Sequence, residues 1–298
     1  MRILNCFKNT YDPDMMSEAD WLSGISNGVF DFSGIISQVD PCSESGLELT
    51  LRAANGRSKP GETQSEREQV SLTAITFGGS LSDKTLRTLY ALGFDECVRI
   101  DGEPDPFKPE ETAKAIAGFC KDGHGFDLIV LGAQSQDGNN RKMPYLLAEY
   151  LGMPFAGNVT EYYPVEGNRI KVTREVPEGI CEETLDLPLV ISVGDVPETL
   201  LRVPTLMQRK AAAGREITVV PFDKETAAEP FDAETTTGPF GEGATAGPFG
   251  EGATAECPAI EVEGFEYVDQ NRSGELITGD SPEEIARILY ERFIGRQR

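Results

Sequence analysis

Asp127-Leu-Ile-Val-Leu131 runs into Gly132-Ala-Gln134-Ser-Gln-Asp137-Gly138-Asn139-Asn140-Arg141-Lys142, and a helical pattern then extends from about Pro144 to Leu151. Four large apolar side chains in a row, stopped by a glycine, read as a strand buried on both faces. Strand, polar turn and helix in that order form half of a β-α-β unit, and the pattern recurs to either side. Ile3 to Phe7 is a short strand, and Val70-Ser-Leu-Thr-Ala-Ile-Thr-Phe77 is another that ends at Gly78-Gly79. Asp83 to Leu92 carries Leu86, Leu89 and Tyr90 on one helical face and stops at Gly93. Cys97-Val-Arg-Ile100 is a strand, and Pro109 opens a helix with Ala113, Ile116, Ala117 and Cys120 at core spacing. Leu187-Pro-Leu-Val-Ile-Ser-Val193 is a later strand. This alternation predicts an α/β protein whose mostly parallel sheet carries helices on both faces. Glu161-Tyr-Tyr-Pro, Arg169-Ile-Lys-Val-Thr-Arg-Glu175 and Thr184-Leu-Asp-Leu187 break the alternation and predict a small antiparallel excursion.

The chain has 298 residues with 50 acidic against 27 basic, a formal charge of −23. A polyanion of this kind is repelled by nucleic acid and anionic membrane surfaces, so neither is expected as a partner. No apolar run approaches the roughly 20 residues of a membrane helix, and MRILNCFKN lacks the apolar stretch of a signal peptide. Six scattered cysteines without C-x-x-C spacing point to reduced thiols, a cytoplasmic location and no structural zinc. A single histidine, His124, leaves little for a histidine triad or metal site.

Acidic residues outnumber basic ones almost threefold in 221–298, and GPFGEGATA at 238–246 is repeated at 247–255. The expected organisation is a body over 1–220, a flexible acidic linker over 221–257 and a tail over 258–298. A coil of that linker's length spans roughly 30–35 Å. In the tail, Ser281-Pro282-Glu283-Glu284 has an N-cap, a Pro at the first helical position and a capping-box Glu. Ile285, Ile288, Leu289 and Phe293 follow as an apolar stripe, which either folds back on its own body or docks on another subunit.

Ligands in open α/β sheets bind at the carboxyl ends of strands. Two such ends stand out, Thr76-Phe77-Gly78-Gly79 and the loop Gly132 to Lys142. The second offers turn residues with exposed backbone N–H groups, the following helix N-terminus, and Arg141 and Lys142 as cations. It reads either as an anion or phosphate cradle or as an ordinary polar β–α loop; it is neither a Walker A loop nor a G-x-G-x-x-G. No nucleophile–base pair is legible, so the chain reads as a nucleotide binder rather than a hydrolase.

The ordered pieces resemble the beta subunit of electron transfer flavoprotein. Ile3-Leu-Asn-Cys-Phe-Lys8 is similar to the family's opening strand, and Asp40 with Leu47-Glu48 and Leu51-Arg52 to its Asn-Pro-x-Asp loop and acidic helix. Leu89-Tyr-Ala-Leu-Gly-Phe-Asp-Glu96, Asp127 to Gln134 with Asp137-Gly138, Val172-Thr-Arg-Glu175, Leu187 to Ser192, Arg202-Val-Pro-Thr-Leu206 and Arg272-Ser-Gly complete the resemblance. Pro177 departs from the family's acidic residue, and the insertion Arg57 to Gln69 and the nine-residue repeat lie outside its pattern.

The resemblance implies a Rossmann-like, adenine nucleotide alpha hydrolase-like fold with an extended C-terminal arm ending in a helix. It implies an electron carrier rather than an enzyme, paired as a heterodimer with an alpha subunit and sharing an FAD with it. Electrons pass to or from a flavin dehydrogenase of the acyl-CoA dehydrogenase type, and flavin-based bifurcation is a mode that Asp137-Gly138 and Pro144 favour. The beta-side nucleotide is a second FAD or AMP. Arg141 and Lys142 suit a diphosphate, so FAD is expected. The implied nucleotide-binding residues are Cys6, Lys8, Asp40, Phe77, Gly78, Gly132, Gln134, Asp137, Asn139, Asn140, Arg141 and Lys142. Phe77 either stacks on adenine or is core. Leu200, Leu201 and Arg202, with Glu175 nearby, are the implied partner-docking residues, one leucine being either core or contact. A universal-stress-type adenine-nucleotide-binding protein is the alternative, with a body of roughly one domain and no flavin.

Overall fold

A computed structural model describes residues 1–27, 30–32, 34–55, 70–105, 108–122, 125–222, 277–279 and 281–294. Its centre is β1 (Arg2–Cys6), where Ile3 packs to one side of the sheet and Leu4 and Cys6 to the other. The same alternation repeats in β4 (Ser71–Phe77) and β6 (Leu128–Gly132), so strands that read as continuous apolar runs feed two cores at once. The remaining strands of the main sheet are β5 (Glu96–Asp101), β7 (Phe155–Val165), β8 (Arg169–Val176), β9 (Gly179–Asp186), β10 (Leu189–Val193) and β11 (Thr218–Pro221). Their order is β11-β5-β4-β1-β6-β10-β7-β8-β9. Every pairing from β11 through to β7 is parallel, whereas β7, β8 and β9 pair antiparallel. A second, two-stranded antiparallel sheet joins β2 (Asn9–Tyr11) to β3 (Ser37–Val39).

Helices cover both faces. α2 (Pro41–Asn55) and α3 (Asp83–Leu92) bury Leu47, Leu51, Leu86 and Leu89 in one core with Ile3 and Val130. α4 (Pro109–Lys121) and α5 (Met143–Leu151) bury Ile116, Phe119 and Leu147 in the other with Leu4 and Ile129. Each fully buried side chain of this size contributes roughly 1.5–3 kcal/mol. α3 stops where expected because Gly93 adopts φ 110 and donates its N–H to Leu89 and Tyr90. α6 (Leu206–Ala212) opens on a Thr205/Gln208 capping box and has no buried residue.

The parallel sheet, its two helical layers and the antiparallel excursion agree with the expected α/β Rossmann-like class. The strand leading into the excursion begins at Phe155 and pairs parallel with β10 as far as Val159, where the antiparallel pairing with β8 begins, two residues before the expected Glu161. β11 was not legible: it is four residues long and pairs only with β5. It carries Pro221, the first residue of the expected linker; the rest of the linker after Phe222, the nine-residue repeat, His124, Arg57 to Gln69 and Arg272 to Gly274 lie outside the described residues.

The chain falls into two compact units, the first holding the described residues of 1–16 and 32–222 and the second those of 17–31 and 277–294. The second contains α1 (Glu18–Asn27) and α7 (Pro282–Leu289). In α1, Trp21 meets Phe30 edge-on at 5.3 Å. In α7 the Ser281 hydroxyl accepts the Glu284 N–H at 3.2 Å, the cap read from the sequence, and Ile285 and Ile288 are only half-buried. Among the described residues, no helix is long and apolar enough to cross a membrane.

Candidate functional site

The chain steps outward from β1 to β4 and β5, then places β6 on the opposite side of β1. The loops leaving β1 and β6 therefore part, and a crevice opens at their carboxyl ends. A cavity of about 210 Å³ occupies that position. Eight of the twelve nucleotide-binding candidates line it: Cys6, Lys8, Phe77, Gly132, Gln134, Asp137, Asn140 and Arg141.

Gly132 sits in a tight contact with α2. A Cβ there would lie 3.1 Å from both Cys42 Cβ and the Ser43 amide nitrogen, so its absence lets the first turn of α2 abut the end of β6. Beyond it, Gly138, Asn139 and Arg141 take left-handed backbone conformations, with φ of 73, 39 and 58. These residues curl the loop so that Arg141 lines the cavity while Lys142 sits at the N-cap of α5. Lys142 donates its N–H to Asn140 Oδ1 at 3.0 Å, and its Nζ lies 3.9 Å from Glu110. Asn139 and Lys142 do not line the cavity. Across from Arg141, Lys8 Nζ pairs with Asp137 Oδ1 at 2.8 Å. Lys8 is 37% and Asp137 52% exposed, so water screens the pair and it is worth roughly 1 kcal/mol or less.

Asp40 stands behind the site and braces it. Its Oδ1 accepts the Cys42 N–H at 3.1 Å, its Oδ2 accepts the Gln136 N–H at 2.7 Å, and its own N–H donates to the Lys8 carbonyl at 2.9 Å. Asp40 thus ties the segment just after β1 through its backbone, and the start of α2 and the loop after β6 through its buried carboxylate. Burial raises its pKa, those N–H donors oppose the rise, and the Asp137 charge adds to it. Gly78 is also off the cavity: its N–H reaches the Ile100 carbonyl at 3.0 Å, which holds the end of β4 to β5. Phe77 lines the cavity and packs in the core against Phe222, with ring centroids 4.7 Å apart. Cys6 is a neutral wall: burial, with Cys120 adding to it, pushes its thiol well above the ordinary value.

Sequence reading missed one side of the cavity, formed by Pro104, Pro109, Thr112 and Ile116 with Ser43 and Met143. Pro109 marked the start of α4, but only the placement of β5 beside β4 brings that helix to the crevice. The cavity thus combines apolar walls with two cations, Lys8 and Arg141, and two carboxylates, Asp105 and Asp137, at the end of a strand.

The docking candidates separate cleanly. Leu200 is 78% exposed, while Leu201 is half-buried against the core under α2 and donates its N–H to Glu44 Oε1 at 3.0 Å. Arg202 grips Glu48 with Nε at 3.0 Å from Oε2 and Nη2 at 2.7 Å from Oε1. Val203, Leu206 and Met207 extend the exposed apolar run, which the sequence reading had not included. Glu175 lies opposite Ile180 on the β8–β9 ribbon, not on that loop.

Residues 61–224 match the electron transfer flavoprotein domain family. The Escherichia coli (strain K12) protein YgcR, provisionally named an electron transfer flavoprotein subunit, is 29% identical over 299 residues, covering 100% of this chain and 99% of its own. The electron transfer flavoprotein subunit beta of Mycobacterium bovis is 27% identical over 210 residues, covering 70% of this chain and 75% of its own. That of Bacillus subtilis is 30% identical over 129 residues, covering 43% and 49%.

Proposed function

This chain belongs to the electron transfer flavoprotein domain family, and from that premise we propose that it is the beta subunit of a heterodimeric electron carrier that shares an FAD with an alpha subunit. Bound FAD supplies the electron-accepting and electron-donating chemistry. This chain's part is to hold a nucleotide, pair with the alpha subunit and present a docking surface to a flavin dehydrogenase of the acyl-CoA dehydrogenase type.

The observation that carries the reading is the cavity at the divergence of β1 and β6, with Lys8 and Arg141 in its lining and Asp40 bracing its loop. We take its occupant to be a second FAD in preference to AMP, because Lys8 and Arg141 both line the cavity and are two cations able to meet a diphosphate, Lys8 by exchanging its Asp137 partner for a phosphate. Electron bifurcation goes with that second flavin. Among the described residues, Cys6, Cys42, Cys97, Cys120 and Cys181 are free thiols, which fits a reducing, cytoplasmic setting. The universal-stress alternative is not favoured: β10 and β11 extend the same sheet, and the family match runs on to residue 224. Nucleotides extracted from the purified heterodimer provide the test. Two FAD are expected; one FAD with one AMP would exclude the second flavin and keep the site, and a heterodimer without flavin would overturn the electron-carrier reading.

A further inference from the structure

The loop from Gly194 to Thr205 is fastened to one helix, α2, by four side chains on successive turns. Glu44 Oε1 accepts the Leu201 N–H at 3.0 Å. Ser45 Oγ accepts the Val196 N–H at 3.1 Å and bonds the Thr199 hydroxyl at 2.7 Å. Glu48 takes both prongs of Arg202. Arg52 donates Nε to Glu48 Oε1 at 2.9 Å and Nη2 to the Glu198 carbonyl at 2.6 Å. Glu198 itself has φ 61, a left-handed conformation that a side chain does not adopt unaided. The fastenings all reach inward, and Leu200 and Val203 are left pointing to solvent, Val203 at 81% exposure.

Glu48 is the joint of this array. Its side chain is 5% exposed while those of Arg202 and Arg52 are 42% and 48% exposed, so one buried carboxylate serves two guanidiniums that water can reach. Removing a carboxylate from water carries a penalty that often cancels the attraction, so such a pair is weak evidence of stabilisation. Its better-attested use is to select one conformation among several.

We propose that Glu48 is a positioning residue for partner docking, clamping Arg202 and Arg52 so that the loop holds Leu200 and Val203 in one outward arrangement ahead of the exposed Leu206 and Met207 of α6. The inference rests on the reading of that exposed run as the dehydrogenase-docking surface. Burial works to raise the Glu48 carboxyl, but the hydrogen bonds of Arg202 and Arg52 and the charge of Arg202 outweigh it and hold the group below its ordinary value, so the clamp is charged at neutral pH.

The test is Glu48→Gln in the heterodimer assembled with its alpha subunit. Amide hydrogen exchange at Val196, Leu201 and Arg202 should speed up roughly tenfold or more, while amides in β1, β4 and β6 keep their rates. With a purified acyl-CoA dehydrogenase as the probe, the apparent KM should rise roughly tenfold with kcat and flavin content retained. Arg202→Lys, which keeps the charge without the two-pronged geometry, should loosen the loop similarly. Unchanged exchange at the three loop amides would overturn the proposal, and so would faster exchange throughout the sheet, which would make Glu48 a general stabiliser. Should Glu48→Gln fail to fold, Arg202→Gln leaves Glu48 paired with Arg52 and carries the same expectation. Leu200→Ala separates the two readings: an unchanged KM there would overturn the docking surface whatever the loop amides show.

Discussion

Asp40 and Gln136 stand 96 residues apart in the chain, and the carboxylate of the first accepts the backbone N–H of the second at 2.7 Å. The bond joins the N-terminal turn of α2 to the loop that curls around the nucleotide cavity. Asp40 is 1% exposed, so the loop's shape depends on a buried charge.

That charge has a pH signature. Burial raises the Asp40 pKa above the ordinary 3.8, so the folded chain holds this proton more readily than the unfolded chain. The group's contribution to stability is therefore full below its unfolded value and is lost as pH rises through its folded one. Asn at this position does not titrate. It also leaves either Gln136 or Cys42 without an acceptor, a loss of about 1–3 kcal/mol. In chemical unfolding from about pH 4 to about pH 7, the advantage of the wild type over Asp40→Asn should shrink as pH rises. An advantage that grows with pH would refute the raised pKa.

Arg141 and Lys142 are neighbours in sequence but not in role. Arg141 lines the cavity, whereas Lys142 Nζ approaches Glu110 at 3.9 Å. Arg141→Ala should weaken FAD or AMP binding to the stripped heterodimer by roughly tenfold to a hundredfold, the worth of one charge-assisted hydrogen bond. Lys142→Ala should change it by less than about threefold. Calorimetric titration of both variants provides the check; equal losses would place the two cations together at the phosphates after all.

Leu200 and Leu201 should likewise part company. Leu201→Ala removes a side chain packed against the core and should cost about 1–2 kcal/mol of stability, read as a lower Tm. Leu200→Ala should leave Tm within a degree or so, because the side chain is mostly in water, and should slow electron exchange with the dehydrogenase. A Leu200 variant that loses its flavin would mark the residue as structural.

The sheet was legible where chemistry is local. β6 announces itself because burial on both faces demands four large apolar residues in a row, and α3 because its stripe ends at a glycine in the left-handed region. The cavity's β1 and β6 walls were legible for the same reason, since they are strand ends. What escaped depends on long-range placement. Thr112 and Ile116 reach the cavity only because β5 lies beside β4. Lys142 turns away because three left-handed residues precede it, and side-chain identity does not encode that curl. Glu48 read as one charge in an acidic helix; its clamp appears only when a segment 154 residues downstream lies across α2.

Phe222 carries the packing of the body two residues into the expected linker. Its ring packs on Phe77 with centroids 4.7 Å apart, and its N–H reaches the Asp101 carbonyl at 3.3 Å, extending the β11–β5 pairing beyond Pro221. A chain cut after Phe222 keeps that ring against the cavity wall; one cut after Pro221 does not. The shorter chain should be less stable by about 1.5–3 kcal/mol, the worth of a buried aromatic ring, and should bind nucleotide more weakly because Phe77 also lines the cavity. The longer chain should unfold near the temperature of the full-length protein and keep its nucleotide. Both lack the tail, so both should lose affinity for the alpha subunit and its FAD if that tail is the docking arm. Copurification of the longer chain with the alpha subunit and a full complement of FAD would remove that role from the tail, while matched unfolding temperatures for the two truncations would show that the Phe77–Phe222 pair does not close the body.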